Sequence, residues 1–337
     1  MSLLAGLDAA LVLLGLPAPV AEGRLADTHG PLMVFGFLGT LIAVERAQAL
    51  RQAWGWLSPA CLSAGALLLA AGIGSPWLGW LLMLDGAALL AAVYGALWLR
   101  APLPLVAVQA LSAVLLTAAA GLAPALGMPQ ILGLLTAFLV LTIASERAEL
   151  SPIGIRPSAL AWWLGLASWL ALNSIGSLVW PTVADRLFGL GLLATAAWLF
   201  HLDAARRVVF RTQGSQRFAA AALLAGYLWL GVAGAVWAVG AARTPGGYDL
   251  AVHGVFLGFG ISMVMAHASI ILPAVVGRPL PYRAAMWLPL GLLHIGVAIR
   301  FVGDLADVVP TWQLGSVISV IGLLLFVLTA AYSAMHG

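Results

Sequence analysis

The chain has 337 residues, of which 63% are hydrophobic and only 8% charged, and its mean hydropathy is +1.07. That leaves too little polar surface to coat a soluble globule of this size, so composition excludes a soluble domain and defines a polytopic membrane protein. The net charge is +3 with every basic residue an arginine, and the single cysteine, Cys61, excludes an internal disulfide framework or a cysteine metal cluster.

The opening residues MSLLAGLDAALVLLGLPAP lack a basic leader and contain Asp8, so they read as a short first transmembrane helix rather than a cleaved signal. Apolar blocks separated by polar or Pro/Gly breaks then place twelve spans at 3–19, 30–48, 57–74, 77–99, 103–124, 129–148, 159–180, 186–204, 217–241, 250–273, 284–303 and 312–334. The expected fold is all-α, a bundle of about twelve transmembrane helices forming a single transmembrane domain over 1–337. No Walker loop, dinucleotide fingerprint, CxxCH or HExxH is present, and the loops are too short for a soluble catalytic domain. Any chemistry belongs inside the bundle.

With the N-terminus inside, one side receives Arg46, Arg51, Arg100, Arg147, Arg156, Arg206, Arg207, Arg211, Arg217, Arg278 and Arg283, and the other Arg24, Arg186, Arg243 and Arg300. This asymmetry places both termini in the cytoplasm of a bacterial-type inner membrane, with Asp185 in an outer loop. The positive charge reports topology and not nucleic acid binding; the basic loop from Arg206 to Arg217 is within reach of anionic lipid heads.

The sequence repeats internally. GFLGTLIAVERA at 36–47 aligns without a gap on AFLVLTIASERA at 137–148, with seven identities in twelve. Setting Phe259 against Phe37 and Phe138 adds a weaker third copy, and the twelve helices fall into three pseudo-repeats of four, about 1–100, 101–208 and 209–337. Around a pseudo-threefold axis, Glu45, Glu146 and His267 would meet near the cytoplasmic end as a metal set or a proton relay. The plainer alternative is that each Glu-Arg pair is a solvated anchor ending its helix.

Histidines inside hydrocarbon call for a partner, a cavity or a metal. His253 and His267 share the tenth span, roughly 21 Å apart along a straight helix and about 40° apart around it. His29 begins the second span as His253 begins the tenth, each followed by glycine, and the equivalent slot in the sixth is Gln130. Facing histidines there would make a bis-imidazole haem site or part of a copper site. A two-residue slip against Phe37 and Phe259 turns the two rings about 200° out of phase. His294 is a further ligand candidate near mid-membrane. His201 reads as part of an interfacial cluster with Asp203 and Arg206, and His336 as solvent-exposed. Asp85 reads as a proton carrier, the counter-ion of Arg300, or a satisfied interhelical hydrogen bond. Tryptophans at span ends, such as Trp77, Trp162 and Trp163, read as interfacial anchors.

HGPLMVFGF at 29–37 resembles the His-x-His-Glu-Met-Leu-Phe-Gly-Phe stretch of the NnrS family, membrane proteins associated with nitric oxide metabolism and described as containing haem and copper. His253, Gly258, Met263 and the closing Gly277, Arg278, Pro279, Leu280 stand at that family's spacing, and Arg300 also fits. The resemblance implies twelve helices, haem b, copper as a further metal, and nitric oxide or another small diatomic as a ligand. Where the family has its second histidine and glutamate, this chain has Pro31 and Leu32, and Ala274 and Val275 replace a Gly-His. The turn Pro-Asn-Trp-Thr-Gly after the second span is absent. These departures mark a divergent member with haem ahead of copper, its metal complement reduced or rebuilt around His267 and His294. The competing expectations are a secondary transporter using intramembrane Asp, Arg and His, and a subunit whose bundle serves assembly with another membrane protein.

Overall fold

A computed structural model describes residues 1–20, 22–150, 156–268 and 280–336. Every regular element among them is a helix. The first, α1 (Ser2–Leu13), is short. Eleven more are long and apolar enough to cross a bilayer: α2 (Gly23–Leu50), α3 (Ala53–Ala71), α4 (Pro76–Arg100), α5 (Pro104–Leu126), α6 (Met128–Glu149), α7 (Pro157–Gly176), α8 (Pro181–Leu202), α9 (Gly214–Ala238), α10 (Pro245–Ala268), α11 (Ala284–Ala306) and α12 (Val309–Met335). A connecting helix, Ala205–Arg211, lies between α8 and α9. A helix stands at each expected span, with edges shifted by up to seven residues, as where α2 begins at Gly23 and not at 30; the end of the tenth span, 269–273, lies outside the described residues. The first helix, α1, rises only about 18 Å, short of a hydrocarbon core of roughly 30 Å.

Proline sets many of the starts. Pro76, Pro104, Pro157, Pro181 and Pro245 open their helices and Pro310 is the second residue of α12. At those positions a missing N–H costs no intrahelical bond and the fixed φ already suits a helix. Ser75 and Thr244 add side-chain caps, accepting from the N–H groups of Trp77 and Gly247. Gly72 closes α3 with φ 62°, a left-handed conformation that only glycine adopts without a Cβ penalty.

The chain divides into two compact units, Met1–Ser145 and Glu146–Gly337. This division does not follow the boundaries of the sequence repeat. Lipid tails are as apolar as the helices, so close approach through small residues holds each unit together. In the first, a Cβ added at Gly65 of α3 would lie 2.6 Å from the Gly79 carbonyl of α4. In the second, one added at Gly296 of α11 would lie 2.7 Å from the Gly315 carbonyl of α12.

Two spans change winding midway. Leu32–Gly39 of α2 and His253–Ile261 of α10 are π-helical, whereas α6 is α-helical throughout. Setting Phe37 on Phe259 brings the two π stretches into register within one residue. It also sets Thr40 against Ser262, whose hydroxyls donate to the carbonyls of Phe35 and Gly258. In α2 the stretch follows Pro31, which lacks the N–H that an unbroken ladder needs. Stretches of this kind recur at functional sites. The π winding is shared by α2 and α10 and not by α6, whose sequence matches α2 more closely.

Burial separates the spans: 83% of the apolar window of α6 and 78% of that of α10 are buried, against 28% for α7. The buried hydroxyls of Ser112 on α5 and Thr142 on α6 bond each other at 2.7 Å. Trp77 and Trp162 are exposed as expected of anchors. Trp163 is not an anchor, being fully buried and stacked on Trp198 with ring centroids 4.9 Å apart. Asp185, expected in an outer loop, is a buried residue of α8 bonded to Arg243 of the α9–α10 connection.

Candidate functional site

The polar groups of the second unit gather in three tiers along α10. Its first turns carry Asp249 and His253, four residues apart and hence on one face. The Asp249 carboxylate accepts from Arg300 of α11 at Nε (2.6 Å) and Nη2 (2.5 Å), and from the Trp312 indole of α12 at 3.3 Å. Arg300 also donates through Nη1 to the Ser316 hydroxyl, and its guanidinium lies 4.8 Å from the Trp312 ring centroid. His253 Nδ1 lies 2.9 Å from the Asp249 carbonyl oxygen and 3.3 Å from its carboxylate. Nearby on α11, Asp304 buries Oδ2 with no hydrogen-bond partner among the described residues. Arg300 is thus neutralised by Asp249; Asp85, the counter-ion considered from sequence, belongs to the first unit and is exposed on α4.

In the middle tier the Trp229 indole of α9 donates to His294 Nδ1 at 3.0 Å. The other ring nitrogen faces the Ser262 hydroxyl at 3.5 Å. In the third tier His267 Nδ1 lies 2.8 Å from the Met263 carbonyl, and its Nε2 receives Arg147 Nη1 at 2.9 Å. Arg147 also donates through Nε (3.0 Å) and Nη2 (2.6 Å) to Asp203, and the Tyr227 hydroxyl donates to the same oxygen at 2.6 Å. Asp203 therefore pairs with Arg147 rather than with Arg206, and His201 is exposed outside this network.

These contacts sort the histidines by tautomer. A ligating imidazole usually donates from one nitrogen to a carbonyl or carboxylate and offers the other's lone pair to the metal. His253 has that polarity: Nδ1–H points at the Asp249 carbonyl, and Nε2 makes no hydrogen bond among the described residues. His29 has the same Nδ1 arrangement, donating to the Gly6 carbonyl of α1 at 2.9 Å. In the repeat alignment the residue opposite His253 is Pro31, two positions on from His29. The lone pairs of His267 and His294 are already engaged, by Arg147 and Trp229.

Two features of the surroundings bear on a ligand at His253. The glycines after His253 do not leave an open face for a flat ring. A Cβ on Gly258 would fall 2.5 Å from the Trp229 side chain, and one on Gly254 3.1 Å from Ala233, so α9 occupies that face. Any planar group at His253 would have to approach from another side. The carboxylates of the expected metal set also have their own settings: Glu45 bonds Arg46 at 2.6 Å in the first unit, while Glu146 and His267 belong to the second. Among the described residues no three His, Cys, Asp or Glu side chains gather in a group able to hold a metal ion. Gly277, Arg278 and Pro279 of the resembling segment, and the departures Ala274 and Val275, lie outside the described residues.

The chain is thus a multi-pass helical membrane protein with ion-paired and hydrogen-bonded polar groups inside its second unit. It belongs to the family described as Domain of unknown function (DUF8744), which it matches over residues 1–335. No curated protein matches it.

Proposed function

We propose that the chain is a haem-binding protein of the bacterial inner membrane, with both termini cytoplasmic and His253 as a residue that would hold haem b. The observation that carries this reading is the state of His253: its Nδ1–H is held by Asp249, and its Nε2 is not engaged by any described residue. Asp249, itself fixed by Arg300 and Trp312, orients the ring. Bound haem would supply an iron able to exchange electrons or take a small diatomic such as nitric oxide, the role implied by the resemblance to the NnrS family. His267 and His294 have less support as ligands, because Arg147 and Trp229 already engage their ring nitrogens. Copper has less support, since the slots at Pro31 and Leu32 have no donor side chain.

The test is the visible spectrum of protein purified after haem-replete expression. A Soret band with sharp reduced bands is expected, abolished or strongly reduced by His253→Ala and unchanged by His201→Ala and His336→Ala. Full haem retention in His253→Ala would move the assignment elsewhere. Absence of the spectrum would favour the second reading, a proton-coupled transporter or permease, supported by the three polar tiers along α10 and by the unpartnered Oδ2 of Asp304.

A further inference from the structure

The connecting helix Ala205–Arg211 follows the end of α8 directly and leads into α9. Its buried residue is Ala205, while Val208 and Val209 are half-buried. Arg207, Phe210 and Arg211 are exposed, and their i, i+3, i+4 spacing sets them on one helical face. Phe210 is 86% exposed. None of Arg206, Arg207, Arg211 or Arg217 makes an ion pair among the described residues. The acid within this elbow is Asp203, which is committed to Arg147 and Tyr227 and caps the Ala205 N–H at 2.9 Å. The elbow is therefore anchored at its base, while its outer face presents an aromatic ring between two uncompensated guanidinium groups.

We propose that this face is a binding surface for anionic phospholipid headgroups. Guanidinium forks suit phosphate oxygens, and an aromatic ring between them suits the boundary between headgroups and acyl chains. The elbow joins the ends of two spans, so it lies where headgroups are, on the side to which the arginine asymmetry assigns the cytoplasm. Positive-inside orientation requires the arginines alone. The exposed Phe210 on the same face is what distinguishes a lipid-binding surface from a topological signal.

The experiment places the full chain in nanodiscs of phosphatidylcholine containing a minor fraction of phosphatidylglycerol and measures, by native mass spectrometry, the lipids that remain bound. Preferential retention of phosphatidylglycerol is expected. Each arginine contributes about fivefold, so Arg207→Gln/Arg211→Gln should lower that preference by about 25-fold. Phe210→Ala should lower it further on the same background. Equal retention of both lipids overturns the proposal, as does an unchanged preference in the double variant. If Phe210→Ala has no effect while the arginine variant does, the arginines alone hold the headgroup and the part assigned to the aromatic ring is overturned. Displacement of phosphatidylglycerol by a soluble acidic polypeptide at equal charge would reassign the face to a protein partner. Thermal melting of each variant, expected to match the unmodified chain, separates these outcomes from misfolding.

Discussion

Arg300 clasps Asp249 with two nitrogens, Nε at 2.6 Å and Nη2 at 2.5 Å, joining α11 to α10 within the length of both spans, while His253 rests 3.3 Å from the same carboxylate. A guanidinium at this depth is tolerated because its charge is met by a two-point partner and its remaining donor by Ser316. The pair thus fixes the ring of the candidate ligand as well as the packing of two helices.

Removing one member should cost more than removing both. Asp249→Asn leaves the Arg300 charge unmatched where its side chain is only 11% exposed, and a loss of about 3 kcal/mol is expected. Adding Arg300→Gln should restore part of it. Denaturant unfolding in detergent measures both, and strictly additive losses would refute the coupling. His253 should also lose orientation in Asp249→Asn, broadening any spectral band that depends on it.

Two glycines five residues apart on α11 should respond with opposite sign. A Cβ at Gly296 meets the Gly315 carbonyl and the Ser319 backbone, so Gly296→Ala should destabilise the α11–α12 hairpin by about 1–3 kcal/mol. A Cβ at Gly291 meets nothing within 4 Å, so Gly291→Ala should be neutral or add up to about 1 kcal/mol. If the two melt alike, the close approach does not hold the hairpin.

Tyr227→Phe tests the third tier. It removes one donor from the Asp203 oxygen but leaves Arg147 in place, so a loss of about 1 kcal/mol is expected. Arg147→Ala should cost several times more, because it strands Asp203 and removes the donor to His267 together. Equal effects would mean that the network is not centred on Arg147.

Much of the fold was legible because a bilayer imposes a minimum apolar length and because proline marks helix starts. The twelve blocks and most of their edges follow from those two constraints. Asp249 and His253 are also within reach of the sequence, standing four residues apart on one helix. The other partners were not legible. Trp229 lies 65 residues from His294, and Arg147 lies 120 from His267. Nothing local tells a histidine which neighbour will claim its lone pair. Asp185 misled for a related reason: a carboxylate near a helix start looks solvated until a distant arginine, Arg243, is seen to bury it.

The sides of the membrane follow from arginine asymmetry and can be tested by labelling. On a Cys61→Ser background, Thr182→Cys at the exposed start of α8 should react with an impermeant maleimide from outside, and Ser215→Cys at the exposed start of α9 only after permeabilisation. The reverse pattern would exchange the two faces, and the elbow between α8 and α9 would then meet the outer leaflet.

The near-complete enclosure of α6 bears on how the protein is made. Synthesis delivers helices in order, so α6 leaves the ribosome before the chain that follows it exists. During that interval Thr142 already has its partner Ser112 on α5, while the flank of α6 that earlier helices do not cover rests against acyl chains. Its hydropathy of 1.8 is therefore a requirement of transit through lipid more than of the finished bundle, where 83% of that window no longer touches lipid. Substitutions that make this helix more polar should act first on the yield of inserted protein, while molecules that do complete assembly keep their native stability.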